Sequence, residues 1–248
     1  MEYERDPKCE CRGYVDVDTL PYDKRIIEKF WMRGFIYDGS KSKECNCHKR
    51  YRLTQRYNCI AKNLDLPSAE ELDELNYLGE GDSYNKLSSL PDIIERNNFK
   101  DVIIYCSGAF GNQKTTSALK VMLDLIRKGK WVVYADYTKL TKQLLDLDSD
   151  TKEYRNADYL IIDGFCEGEV INFQTTFNEL FDIILKRRKP TILISSKKLD
   201  EIKFTHYDMS LLDGIKLRCH KYNSYVEFND HAANVLLKEK GPIDIWSM

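Results

Sequence analysis

Residues 101–129 read DVIIYCSGAFGNQKTTSALKVMLDLIRKG, and this stretch decides the fold. Val102 to Cys106 is a continuous apolar run with no alternation, as in a strand buried on both faces of a helix-covered parallel sheet. A glycine-containing loop follows, Ser107 to Gln113, and then a segment of helical length. Strand, loop and helix come in the order of a phosphate-binding P-loop. In such a loop the backbone N–H groups and the helix N-terminus face a phosphate. A lysine supplies a mobile cation for the outer phosphates, and the next hydroxyl ligates Mg²⁺.

Gly108, Lys114 and Thr115 match G-x-x-x-x-G-K-[ST] in register, whereas Gln113 stands where the second motif glycine belongs. The residues expected to hold the phosphates of a nucleotide are therefore Gly108, Gly111, Asn112, Gln113, Lys114, Thr115 and Thr116. An ordinary strand-to-helix turn with a lysine in its first turn would satisfy the degenerate motif equally well, so the decision passes to the runs that follow.

WVVYAD, YLIIDG and PTILISS are each short, rich in Val, Ile and Tyr, and separated by segments of helical length. They extend the pattern to an α/β fold with a parallel sheet flanked by helices. YLIID ends in Asp163. Ligands of open α/β sheets bind outside the carboxyl ends of the strands, so Asp163 is placed to share Mg²⁺ with Thr115, directly or through water. TILISS ends in two hydroxyls, and Ser195 is expected to sense the outer phosphate or orient a water.

The chain has 248 residues and a formal net charge of −2, so it has room for one full core and a smaller module, and any nucleic-acid contact has to be local. Charge divides it. Residues 1–62 carry 14 Lys/Arg against 10 acids, residues 63–98 are acidic and broken by Pro67, Gly79, Gly81 and Pro91, and the rest is balanced. The expected organisation is a small module over 1–62, an acidic connector over 63–98 with a short helix capped by Ser68 ahead of Glu71, and the ATP-binding domain over 99–248. The opening MEYERDPKCE leads into no apolar signal segment, and no run approaches the roughly 18 apolar residues of a spanning helix. A cytoplasmic chain is expected, without disulfides.

Five of the eight cysteines fall in the first module. Cys9-Glu-Cys11 and Cys45-Asn-Cys47 form two C-x-C elements, and Zn²⁺ favours four soft ligands from two short pairs. Cys9, Cys11, Cys45 and Cys47 are the expected metal ligands, with His48 or Cys59 as substitutes; reduced thiols without metal are the plain alternative. Cys106, Cys166 and Cys219 read as packing residues. The stretch Lys49-Arg50-Tyr51-Arg52-Leu53-Thr54-Gln55-Arg56-Tyr57 reads first as a solvated helix face, and second as a stripe that tracks phosphates and stacks bases. Lys186-Arg187-Arg188-Lys189 closes a helix, where cations meet the favourable dipole end.

Residues 99–228 resemble the AAA+ domain of the DnaC/DnaI-type replicative helicase loaders and their IstB-like transposition relatives. The resemblance is carried by GAFGNQKTT, RKGKWVVYADYTKL, ADYLIIDGF and FNELFDIILKRRKP running into TILISS. It implies ATP and Mg²⁺ as ligands, and single-stranded DNA and a hexameric DnaB-type helicase as partners. It also implies a helicase-contacting zinc module ahead of the ATPase and the capacity for homo-oligomers. The family places a second acid after the Asp163 strand to activate water. Here that position is Gly164, and Glu167 is the expected substitute, so Asp163 and Glu167 are the candidate catalytic pair. The family's later arginines are reduced to Arg218. The resemblance thus implies a loader with slow or absent hydrolysis. The alternatives are a nucleotide-independent adapter with a degenerate P-loop, an IstB-like transposition helper and, more remotely, a small P-loop kinase, whose lid arginines could come only from Arg187 and Arg188.

Overall fold

The computed structural model describes residues 35–37, 42–44, 46–75, 82–146, 150–167, 174–202 and 209–228. The chain divides into two compact units, one of residues 1–71 with 123–129 and one of 72–122 with 130–248.

In the first unit a short antiparallel pair, β1 (Phe35–Tyr37) and β2 (Ser42–Glu44), precedes helix α1 (Asn46–Leu64). Leu53, Thr54, Tyr57 and Ala61 are buried on one stripe of α1, as their spacing of three to four residues requires. Tyr57 is spent on packing: its hydroxyl donates to the Pro67 carbonyl at 3.0 Å, so it cannot stack a base. Lys49, Arg50, Arg52, Arg56 and Lys62 are exposed on the remaining surface, the arrangement of a solvated face. Arg127 Nε donates to Thr54 Oγ1 at 3.1 Å.

Helix α2 (Ala69–Glu74) opens on a reciprocal cap. Glu71 N donates to Ser68 Oγ at 3.2 Å, and Ser68 N donates to the Glu71 carboxylate at 2.7 Å. Within the acidic stretch lies helix α3 (Asp82–Arg96), which buries Leu87, Leu90, Pro91 and Ile94. Pro91 was expected as punctuation. A proline inside a helix forfeits one backbone bond, and here its burial beside three apolar neighbours offsets the loss.

The second unit is built on five parallel strands in the order β4-β5-β6-β3-β7: β3 Ile103–Ser107, β4 Val132–Asp136, β5 Tyr159–Asp163, β6 Thr191–Ser195 and β7 Tyr225–Glu227. The first four are the apolar runs of the sequence. β3, β5 and β6 are buried along nearly their whole length, as strands covered on both faces must be. β3 lies between β6 and β7, with Ser107 opposite both Ser195 and Glu227. β4 pairs with β5 so that Asp136 lies opposite Asp163. The helices between strands are α4 (Lys114–Arg127), α5 (Tyr137–Leu145), α6 (Lys152–Asn156), α7 (Gln174–Phe181) and α8 (Met209–Tyr222). Helix α7 runs on into a widened π-helical turn over Asp182–Lys186. Leu160, Ile162, Leu193, Ile183, Ile184 and Ile215 form the centre of one core.

Helix α3 is tied to the edge strand β7. Ser83 Oγ donates to the Glu227 carbonyl at 2.8 Å and Lys86 Nζ to the Tyr225 carbonyl at 2.6 Å. No helix among the described residues is long and apolar enough to cross a membrane.

Candidate functional site

The loop between β3 and α4 leaves the C-terminal end of β3, which lies between β6 and β7. Gly108 has φ +148°, and a Cβ there would lie 2.3 Å from the Phe228 carbonyl oxygen, so backbone passes where any side chain would stand. The Phe228 strand end is bonded to the loop at both sides. Phe228 N donates to the Ser107 carbonyl at 2.7 Å, and Asn112 Nδ2 donates to the Phe228 carbonyl at 2.7 Å. Gly111 has φ +84° and Gln113 φ +59°, the left-handed conformation glycine adopts at least cost. The backbone path of a P-loop is therefore kept although Gln113 replaces the glycine. Among the described residues its Nε2 is a buried donor with no hydrogen-bond partner.

Lys114 opens α4 and is buried, with its ammonium donating to the carbonyls of Gly108 at 2.7 Å and Ala109 at 2.8 Å across the loop. Burial holds it below the usual lysine range, and the carboxylates of Glu167 and Asp163 pull it back up. Phe110 stands at the loop tip, 81% exposed, with the Lys114 ammonium 6.0 Å from its ring.

The adjacent Thr115 donates its hydroxyl to Asp163 Oδ2 at 2.9 Å. The same oxygen accepts from the Tyr134 hydroxyl at 2.7 Å, and Asp163 Oδ1 accepts from Gly164 N at 2.9 Å. Tyr134 is the site residue that sequence reasoning missed. Its only signal was a polar-tipped aromatic two positions before the end of an apolar strand. Glu167 comes next, after a turn in which Gly164 has φ +68° and Cys166 φ +60°. Its carboxylate accepts from the backbone N–H of Ser196, at the end of β6. A Cβ on Gly164 would lie 4.0 Å from Glu167 Oε2, so the Glu167 carboxylate lies beside the direction a side chain at 164 would take.

The structure thus brings Gly108, Gly111, Asn112, Gln113, Lys114, Thr115, Asp163 and Glu167 to the C-terminal ends of β3, β5 and β6. Thr116 follows in the first turn of α4, half-buried. Ser195 is fully buried, and its hydroxyl is committed to the Phe165 carbonyl at 2.8 Å while accepting from Lys197 N at 3.2 Å. Arg218 is elsewhere. Its Nη2 donates to the Leu185 carbonyl at 2.5 Å, and its Nε lies 4.0 Å from Asp101, ahead of the N-terminal end of β3. That is a strand length, about 16 Å, from the loop. Arg187 is buried on the carbonyls of Tyr154, Ala157 and Pro190, so it cannot act as a lid residue.

Cys9, Cys11 and Cys45 lie outside the described residues. Cys47 and Cys59 both lie on α1, twelve residues apart, which is about 18 Å along a helix. Cys59 therefore cannot share one metal with Cys47 and could serve only in its place, whereas His48 is next to Cys47 on the same helix. Among the described residues there is no cluster of three or more metal-ligating side chains.

The donor set fits a nucleoside triphosphate with a divalent cation. A lysine crosses a glycine-bearing loop at a helix N-terminus, a hydroxyl and a carboxylate meet within bonding distance, and a buried amide donor stands unpaired beside them.

No family model matches the sequence, and no curated protein matches it. Solved structures do. A DNA replication initiation factor matches at 16% identity with a TM-score of 0.50, covering 64% of this chain and 51% of its own. DnaA from Aquifex aeolicus bound to AMPPCP matches at 16% identity, TM-score 0.48, with the same 64% and 51%. A DnaC helicase loader matches at 18% identity, TM-score 0.44, over 60% of this chain and 92% of its own. The chain spans about half the length of the first two. The likeness to the first is one of fold: a five-stranded parallel sheet flanked by helices, the α/β fold that the sequence implies.

Proposed function

We propose that the chain is an ATP-binding helicase loader: it binds ATP with Mg²⁺ at the β3–α4 loop, hydrolyses it slowly or not at all, and engages a hexameric DnaB-type helicase to place it on single-stranded DNA. The observation that carries the nucleotide half is the contact between Thr115 and Asp163 beside the Lys114 ammonium, because it assembles cation and hydroxyl from the start of α4 and a carboxylate from the end of β5 at one edge of the sheet.

Gly108, Gly111, Asn112 and Gln113 line the phosphates with backbone N–H groups, and Thr116 closes the first helical turn. Thr115 and Asp163 hold Mg²⁺, which supplies charge neutralisation at the outer phosphates when bound. Glu167 takes the place of the acid that Gly164 lacks and orients water. Ser195 contributes by fixing the turn after Asp163 rather than by touching phosphate. Slow hydrolysis follows from the surroundings, since the arginines at 187 and 218 are both committed to backbone carbonyls away from the loop.

The loader half rests on the sequence resemblance over 99–228. Residues 1–62 are assigned to the helicase contact, with zinc on Cys9, Cys11, Cys45 and Cys47, and 63–98 are read as joining this module to the ATPase. The place of action is the cytoplasm.

The test is equilibrium binding of a fluorescent ATP analogue with Mg²⁺ to the wild type and Lys114→Ala, with metal analysis of the same preparation. Micromolar binding lost in the variant, and one zinc per chain, support the reading; co-purification with a hexameric helicase completes it. No binding by the wild type would leave a nucleotide-independent adapter.

A further inference from the structure

The neighbouring strand enters the site through Tyr134. In a parallel pair, residues in register share a face and side chains alternate along each strand. Tyr134 is in register with Ile161, so Tyr134, Ile161 and Asp163 point to the same face, and the Tyr134 hydroxyl reaches diagonally to Asp163. The result is one carboxylate oxygen, Asp163 Oδ2, accepting two hydroxyls, from Thr115 at 2.9 Å and from Tyr134 at 2.7 Å, while Oδ1 is held by Gly164 N.

These holders are not equivalent. Thr115 belongs to the loop and helix that would receive the nucleotide, and a metal ion drawn to its hydroxyl competes for the same lone pairs and turns its proton. Tyr134 stands on β4, away from the loop, and keeps its bond whatever Thr115 does. We infer that Tyr134 is a positioning residue for magnesium: its hydroxyl fixes the orientation of the Asp163 carboxylate, which would hold the cation directly or through water. Partners of metal-binding carboxylates commonly set metal affinity by about ten- to a hundredfold without touching the metal. The inference rests on the nucleotide reading above and deepens it.

The experiment is a magnesium titration. Binding of a fluorescent ATP analogue to the full chain is measured in EDTA and at rising Mg²⁺, for the wild type and Tyr134→Phe, which removes the hydroxyl and keeps the ring. In EDTA the two should bind within about twofold of each other. The Mg²⁺ needed for half of the magnesium-dependent gain should rise about tenfold in the variant, and Tyr134→His, which returns a donor, should recover part of it. Superimposed magnesium curves overturn the inference alone. An equal loss of affinity with and without Mg²⁺ also overturns it, placing Tyr134 in nucleotide contact or in the fold. No nucleotide binding by the wild type overturns the nucleotide reading and this inference with it.

Discussion

Thr115 Oγ1 and Asp163 Oδ2 lie 2.9 Å apart although forty-eight residues separate them in the chain. Thr115 is fixed by the register of α4 after the loop, and Asp163 by the pairing of β5 with β4 and β6. Their meeting depends on the sheet order, in which only β6 separates β3 from β5, so that α4 after β3 and the end of β5 meet at the same edge of the sheet. A ligand site at that position follows from the topology of an open parallel sheet.

Gln113 carries a cost that glycine would not. It holds φ +59°, which costs a non-glycine residue about 1–2 kcal/mol, and its Nε2 is buried without a partner. Gln113→Gly should raise stability by about 1 kcal/mol after allowing for the extra chain entropy of glycine. Urea denaturation checks this. A destabilised variant would mean that the amide is held by a partner that matters to the fold.

Lys114 gives two opposite pH dependences. Its ammonium lies below the usual lysine range because burial penalises the charge. The unfolded chain therefore binds this proton more tightly than the folded one. The stability penalty is complete below the folded pKa and is relieved as pH rises through it toward the unfolded value. Phosphate affinity runs the other way, since it needs the cation. As pH rises toward the ordinary lysine value of about 10, this group should make the nucleotide-free chain more stable while analogue binding weakens, earlier than an exposed lysine would dictate. In Lys114→Arg, which stays charged, the alkaline loss of affinity should disappear, as parallel binding and melting series would reveal.

Four of the five strands, the P-loop and the position of Asp163 were legible because each is local: continuous apolar runs and a loop motif need no knowledge of what lies opposite. What was not legible is what depends on tertiary context. Pro91 read as a break, yet α3 is held by Leu87, Leu90 and Ile94 and by Ser83 and Lys86 on β7. Tyr57 read as an exposed aromatic among cations but packs inward onto Pro67. Tyr134 could be placed in the site only once β4 was known to lie beside β5. Arg218, adjacent in sequence to the stretch where a phosphate contact was sought, belongs to the far end of β3.

Glu167 can be separated from Gly164 by mutation. Gly164 has φ +68°, and the Glu167 carboxylate sits 4.0 Å from the point where a Cβ at 164 would begin. Installing an acid directly after Asp163 by Gly164→Glu should therefore cost about 1–2 kcal/mol in backbone strain and bring two carboxylates together, with no gain in turnover. Glu167→Gln should leave nucleotide affinity within about threefold and lower whatever slow hydrolysis the wild type has by about a hundredfold. Phosphate release under single-turnover conditions reads both. Faster turnover in Gly164→Glu would remove Glu167 from the water-activating role.

Arg187 tests whether the basic cluster is part of the fold or of a surface. Its guanidinium is 5% exposed and donates to the carbonyls of Tyr154 at 2.6 Å, Ala157 at 2.9 Å and Pro190 at 3.3 Å, joining the segment before β5 to the turn before β6. Burial pushes its pKa down to about 10, with the Asp158 carboxylate opposing that shift. A charge so placed persists because each bonded carbonyl would otherwise be a buried acceptor without a donor. Arg187→Leu should cost about 3 kcal/mol, seen as a lowered urea midpoint, with nucleotide affinity of the folded fraction unchanged. Arg188→Leu, one position on and exposed, should shift the midpoint by less than about 0.5 kcal/mol. Equal effects of the two substitutions on DNA binding, with no change in stability, would instead make the cluster an interaction surface.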